Sequence, residues 1–188
     1  MSTELDIERD FIRILSEKEN QWRYRPDIKT EADLWGNFFS HLDRLNVAVL
    51  KDIKLSIKET KKIQVELARL TGTPFLASQW LRGENGISQI VLERDTGEKV
   101  TLEAFRNKDI SGGTSSYEVV HQIVPDTKRL VRGDVTLLIN GLPIIHVELK
   151  KESAKDGFIQ AYQQIQRYAE EDFFKGIYAT TQIFVVSN

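Results

Sequence analysis

The run from Arg132 to Lys150, RGDVTLLINGLPIIHVELK, constrains the fold more than any other stretch of the chain. Asn140–Gly141 lies between two apolar runs, and both residues tolerate positive φ, so the segment is predicted to be a β-hairpin. Loop length sets its register. A two-residue loop places Asp134 opposite Val147. A three-residue loop, Asn140–Gly141–Leu142, places Asp134 opposite Glu148. Side chains alternate between the faces of a strand. In the second register one face carries Asp134, Thr136, Leu138, Ile144, His146, Glu148 and Lys150. The other carries only Val135, Leu137, Ile139, Ile145, Val147 and Leu149. A slip of one residue flips every side chain. The wholly apolar face therefore favours the three-residue loop, with Gly141 left-handed.

Opposed carboxylates repel and cost stability unless a divalent cation reverses the sign. Mg²⁺ takes oxygen ligands, usually one or two carboxylates completed by waters and phosphate oxygens. Asp134 and Glu148 fit that demand, with the backbone carbonyl of Leu149 as a further ligand. Lys150 shares the face of Glu148, where it would orient or help deprotonate an attacking water, or offset charge on a pentavalent phosphate. This is the equipment of a Mg²⁺-dependent phosphodiesterase. The bland alternative is a surface hairpin on which Glu148 and Lys150 merely pair.

The 188 residues suit one domain with a real core. With no cysteine there is no disulfide scaffold and no thiolate metal site, which suits a reducing cytoplasm. No apolar run reaches membrane-spanning length, and Met1–Asp6 is not a signal peptide. A net charge of −2 excludes a globally basic nucleic-acid binder, so DNA contact would need local patches. Candidates are Arg23, Arg25 and Lys29; the lysines between 51 and 62, more simply read as solvated helix faces; and Lys150, Lys151, Lys155 and Arg167.

Helices are predicted over about 5–18, over 31–46 with Thr30 and Asp33 as its capping pair, and over 57–70 with Ser56 and Glu59 as its box, closed by Gly72 and Pro74. Strands follow at 87–93, 99–105 and 117–124, then the hairpin, a helix over 157–172 and a strand over 183–186. Helices on both flanks of a mixed sheet make an α/β fold. The chain stops directly after that apolar strand, so it is expected to be a fragment of a longer protein. Gln164 and Tyr168, four apart, share a helical face beside the hairpin and would donate to phosphate oxygens without adding charge. The three histidines are left out of the site, because none has a second histidine at metal-ligand spacing.

Asp134 followed by Glu148–Leu149–Lys150 resembles the PD-(D/E)XK nuclease motif. With the stretch 134–143, Gln164-x-x-x-Tyr168, the helix start at 30–35 and the terminal QIFVVSN, nearly the whole chain resembles the N-terminal nuclease domain of the R (restriction and translocation) subunit of type I restriction enzymes. The resemblance implies a restriction-endonuclease-like mixed sheet, with Asp134 and Glu148 as metal ligands and Lys150 as the catalytic lysine. Gln164 and Tyr168 would support cleavage or DNA contact. Glu31 would match a helix acid that many such nucleases add, although the helix macrodipole also explains an acid there. Gly133 stands where the motif's name has proline. The chain has no Gly-x-x-x-x-Gly-Lys-Ser/Thr loop, so ATP and translocation would belong to motor domains beyond it. Implied partners are double-stranded DNA and the methyltransferase and specificity subunits, and the implied act is cleavage of unmodified DNA. The alternatives are a related nuclease of a single-chain restriction or repair enzyme, and an inert DNA-binding or docking module.

Overall fold

The structure, a computed structural model, describes residues 3–17, 22–106, 113–124, 133–150, 156–170 and 174–187, with the backbone alone at 168–170. In chain order the elements are α1 (Glu4–Leu15), β1 (Arg23–Tyr24), α2 (Glu31–Leu45), α3 (Val47–Leu50), α4 (Ile57–Leu70), α5 (Pro74–Arg82), β2 (Ile87–Glu93), β3 (Lys99–Arg106), β4 (Tyr117–His121), β5 (Val135–Ile139), β6 (Leu142–Leu149), α6 (Gly157–Glu170), a 3₁₀ turn (Gly176–Thr180) and β7 (Ile183–Ser187). No helix among the described residues is long and apolar enough to cross a membrane.

Five strands form a mixed sheet in the order β1-β4-β5-β6-β7. Its two outer pairings are parallel and its two inner ones antiparallel. This α/β arrangement, a mixed sheet flanked by helices, is consistent with a PD-(D/E)XK-like nuclease fold. One face packs on α1: Val119, Val135, Leu137, Val147 and Leu149 meet Ile12, Phe11 and Ile7. The other carries Val120, Leu138 and Leu142 against Leu34, Phe38 and Leu42 of α2 and Ile63 and Leu67 of α4. Leu34, Phe38 and Leu42 are fully buried, each worth roughly 1.5–3 kcal/mol of apolar transfer.

Helix starts follow the sequence closely. The capping boxes of α2 (Thr30 with Asp33) and α4 (Ser56 with Glu59) are both complete, because each needs only residues three apart. Other expectations are corrected. Pro74 does not simply close α4; it opens α5 at the first helical position, where its missing N–H costs nothing, with Thr73 as the cap. Strands β2 and β3 form a separate two-stranded sheet. Strand β4 ends at His121, and Val124 bridges to Thr30 instead.

The hairpin has the expected register at its open end but a different turn. Ile139 pairs with Leu142, so the loop is two residues, Asn140 (φ 51°) and Gly141 (φ 79°), both left-handed as a type I′ turn requires. A β-bulge between the Leu137 and Leu138 pairings then shifts the ladder by one residue. Beyond it Leu137 faces Ile145 and Val135 faces Val147, so the next position sets Asp134 opposite Glu148. The extra residue sits in the strand, not in the loop. Nor is this a surface hairpin: every residue of β5 is buried. A Cβ at Gly141 would lie 2.8 Å from the Cα of Phe38, so the turn packs directly on α2.

Candidate active site

Asp134 just precedes β5, Glu148 lies near the end of β6, and Lys150 follows β6. The ladder brings all three to one end of the sheet. Glu148 is fully buried and Asp134 partly so. The Leu149 N–H donates to Asp134 Oδ2 at 2.7 Å and orients that carboxylate. Burial first, and then the charge of Glu148, push the Asp134 carboxyl up to about 7, against the partial relief of the Leu149 N–H. A third acid adds to this. Glu8 of α1, only 3% exposed, raises Asp134 further, while Lys150 lowers it. A buried carboxylate pair in which one acid raises the proton affinity of the other is a donor set suited to a hard cation, whose charge would reverse the penalty. Among the described residues no three His, Cys, Asp or Glu side chains gather as a metal cluster. A cation on Asp134 and Glu148 would therefore complete its shell with other oxygens.

Lys150 is held from both ends. Its backbone N–H donates to the Ser187 carbonyl of β7 at 2.9 Å, and its Nζ donates to Gln164 Oε1 of α6 at 3.0 Å. A cleft of about 590 Å³ lies here, lined by Lys150, Gln160, Gln163, Gln164, Gln166 and Arg167. Gln164 thus joins the site as its helical position implied. Tyr168 lies on the same helix, with its side chain outside the described residues.

Glu31 stands at the first position of α2. Its Oε1 accepts from the Trp35 indole at 3.3 Å. Burial first, and then the Glu31 charge, hold the Tyr178 hydroxyl well above its usual range. The helix acid whose charge bears on Asp134 is Glu8, which accepts from Gln122 Nε2 at 3.1 and 3.2 Å. Nothing local marked Glu8, because its neighbours come from distant parts of the chain. Setting His146 aside also missed a contact. Its Nε2 lies 2.8 Å from Glu148 Oε1 and its Nδ1 3.2 Å from Thr136 Oγ1. Burial pushes this imidazole down to about 4, so it is neutral at pH 7. The available signal was its place two residues before Glu148, hence on the same strand face. Arg25, a candidate DNA contact, is instead tied to Glu118 and Asp27, and Lys151 and Lys155 lie outside the described residues.

The chain as a whole is similar to known proteins. A family model described as type I restriction enzyme R protein N terminus matches residues 1–188. The chain belongs to that family. A type I restriction enzyme endonuclease subunit from Staphylococcus saprophyticus is 27% identical over 161 residues, covering 86% of this chain and 16% of that protein. One from Staphylococcus aureus strain MSSA476 is 27% identical over 164 residues, with 87% and 16% covered. The EcoprrI endonuclease subunit of Escherichia coli is 25% identical over 195 residues, with 93% and 61% covered. The chain therefore spans about a sixth of the length of the staphylococcal R subunits it matches.

Proposed function

We propose that this chain is the DNA-cleaving domain of a type I restriction R subunit, a Mg²⁺-dependent endonuclease of the PD-(D/E)XK type. It would lie at the N-terminus of a longer polypeptide whose further domains bind ATP and translocate DNA. It would work with methyltransferase and specificity subunits and cut unmodified double-stranded DNA in the cytoplasm. The observation that carries this reading is the confrontation of Asp134 with Glu148, which raises Asp134 to about 7 beside a lysine.

In this reading Asp134 and Glu148 hold Mg²⁺, with the Leu149 carbonyl as a further oxygen ligand. The ion, when bound, supplies Lewis-acid stabilisation of the charge that builds on the phosphate during hydrolysis. Lys150 donates from Nζ to the reacting phosphate or to the water that attacks it. Gln164 keeps that ammonium directed along the cleft until substrate replaces the contact. The amides of Gln160 and Gln163 and the guanidinium of Arg167 offer donors to the sugar–phosphate backbone, which positions DNA without reading its sequence. Tyr168 is assigned to the same surface. Glu8 sets the field at Asp134, and Glu31 is assigned a supporting role on the side of the buried Tyr178.

The test is plasmid cleavage by the reconstituted complex, wild type against Lys150→Ala, with ATP hydrolysis followed in parallel. Cleavage is expected to fall about a hundred- to a thousandfold, as loss of a transition-state donor does, with ATP hydrolysis retained. Cleavage at the wild-type rate would remove the hairpin as the active site and leave an inert DNA-binding or docking module.

A further inference from the structure

The feature that catalysis as described leaves unused is the buried side chain beneath Glu148. His146 is fully buried, and its ring is constrained on several sides. Across the ladder it pairs with Thr136, whose Oγ1 is 3.2 Å from Nδ1. Its Nε2 is 2.8 Å from Glu148 Oε1. Phe174 meets it edge-on, with centroids 5.9 Å apart and planes at 74°. Gly133 closes the remaining side so tightly that a Cβ there would lie 2.1 Å from His146 Cε1.

These contacts select one tautomer. Glu148 as a cation ligand is ionised and only accepts hydrogen bonds, so in that state Nε2 carries the proton and donates to it. Nδ1 must then accept, and the Thr136 hydroxyl can donate to it. We infer that His146 is a positioning residue: with Thr136 behind it, it fixes the orientation of the Glu148 carboxylate and so sets how well the site takes its divalent cation. This rests on the proposed role of Glu148 as a cation ligand. His146 itself touches neither cation nor substrate. Groups behind a ligand that hold it in place typically govern metal affinity by 10- to 100-fold. The same contact explains the residue before Asp134: any side chain at 133 would strike the imidazole, so glycine is required where the motif's name has proline.

The experiment uses the full-length R subunit in its complex and titrates Mg²⁺ while recording DNA cleavage and ATP hydrolysis together. His146→Leu keeps bulk and loses both hydrogen bonds. His146→Gln puts an amide nitrogen near the Nε2 position and keeps the donor to Glu148. His146→Asn is too short to reach it. The Mg²⁺ concentration for half-maximal cleavage is expected to rise about tenfold or more in the Leu and Asn variants. In the Gln variant it should stay within about threefold of wild type, and ATP hydrolysis should keep its Mg²⁺ dependence throughout. A role in packing alone would lower cleavage in all three variants without moving its Mg²⁺ dependence, and that result overturns the inference. So does a Gln variant as shifted as the Asn variant. Glu148→Ala in parallel separates the two readings. If it still cleaves, Glu148 is not a ligand and both fall; if it is dead while the His146 variants show no shift, only the positioning role falls.

Discussion

Two buried carboxylates on neighbouring strands behave in opposite ways. Glu118 of β4 is 3% exposed, yet its pKa sits at about 2. Burial alone would raise it, but His41 Nε2 at 3.0 Å, Asn37 Nδ2 at 2.7 Å and the Arg25 guanidinium together more than offset that penalty. Asp134, just before β5, has one backbone N–H and faces other acids, and it is driven to about 7. Burial is common to both; the partners differ. Where donors converge, the carboxylate is a fixed pin, here joining β4 to α2 and to the segment after β1. Where acids converge, the protein carries a local cost that a cation can relieve, as sites that bind charge require.

The strongest way to break this contrast is Glu118→Ala. It leaves Arg25 without its buried partner and should cost about 3 kcal/mol, read as a lower denaturation midpoint at pH 7. Glu118→Gln adds the pH test. A carboxyl depressed from 4.5 to about 2 stabilises the fold above its ordinary value and loses that contribution as pH falls. The gap between wild type and Glu118→Gln should therefore close between pH 4.5 and 2. A gap independent of pH would mean that Glu118 gains nothing from its charge.

A middle-sized effect is expected at Gly133→Ala, where the new Cβ drives into His146; overpacking of this kind costs about 2 kcal/mol. It should also raise the Mg²⁺ concentration needed for half-maximal cleavage, in the manner of His146→Leu. Unchanged stability would show that the ring is not wedged there. The smallest effect has the opposite sign. A raised Asp134 pKa means that ionisation costs stability, beginning as pH rises above 3.8 and complete above about 7. Without Mg²⁺, Asp134→Asn should be more stable than wild type at pH 8 by about 1 kcal/mol, roughly 3 °C in Tm, and indistinguishable near pH 4. A less stable Asn variant at pH 8 would show that Asp134 and Glu148 do not repel.

Much of the site was legible because its parts are local. Asp134, Glu148 and Lys150 sit on one hairpin, and an apolar face that must be buried dictates their register whatever the turn. Gln164 followed from helical spacing on the next element. The bulge was not legible: a three-residue loop, and a two-residue loop with a bulge at Ile144, bring Asp134 opposite Glu148 equally well. Only the strand pairing of the folded chain distinguishes them. Glu31 was the helix acid that the resemblance offered, whereas Glu8 became visible only through the packing of α1 near Asp134.

By itself the sequence determined the periodicities and caps, hence α2, α4 and most strands, and the alternation that sets an acid pair and a lysine together. Those are interactions between residues a few positions apart, or across one turn, and they need no knowledge of the rest of the chain. Tertiary structure alone decided that β2 and β3 stand apart as their own sheet, that both faces of the hairpin are buried, and that His146 rather than solvent meets Glu148. It also decided that Glu118 is satisfied while Asp134 is not. The physical reason is that a carboxylate's free energy depends on which distant donors and charges share its low-dielectric surroundings, and only the folded chain specifies those neighbours.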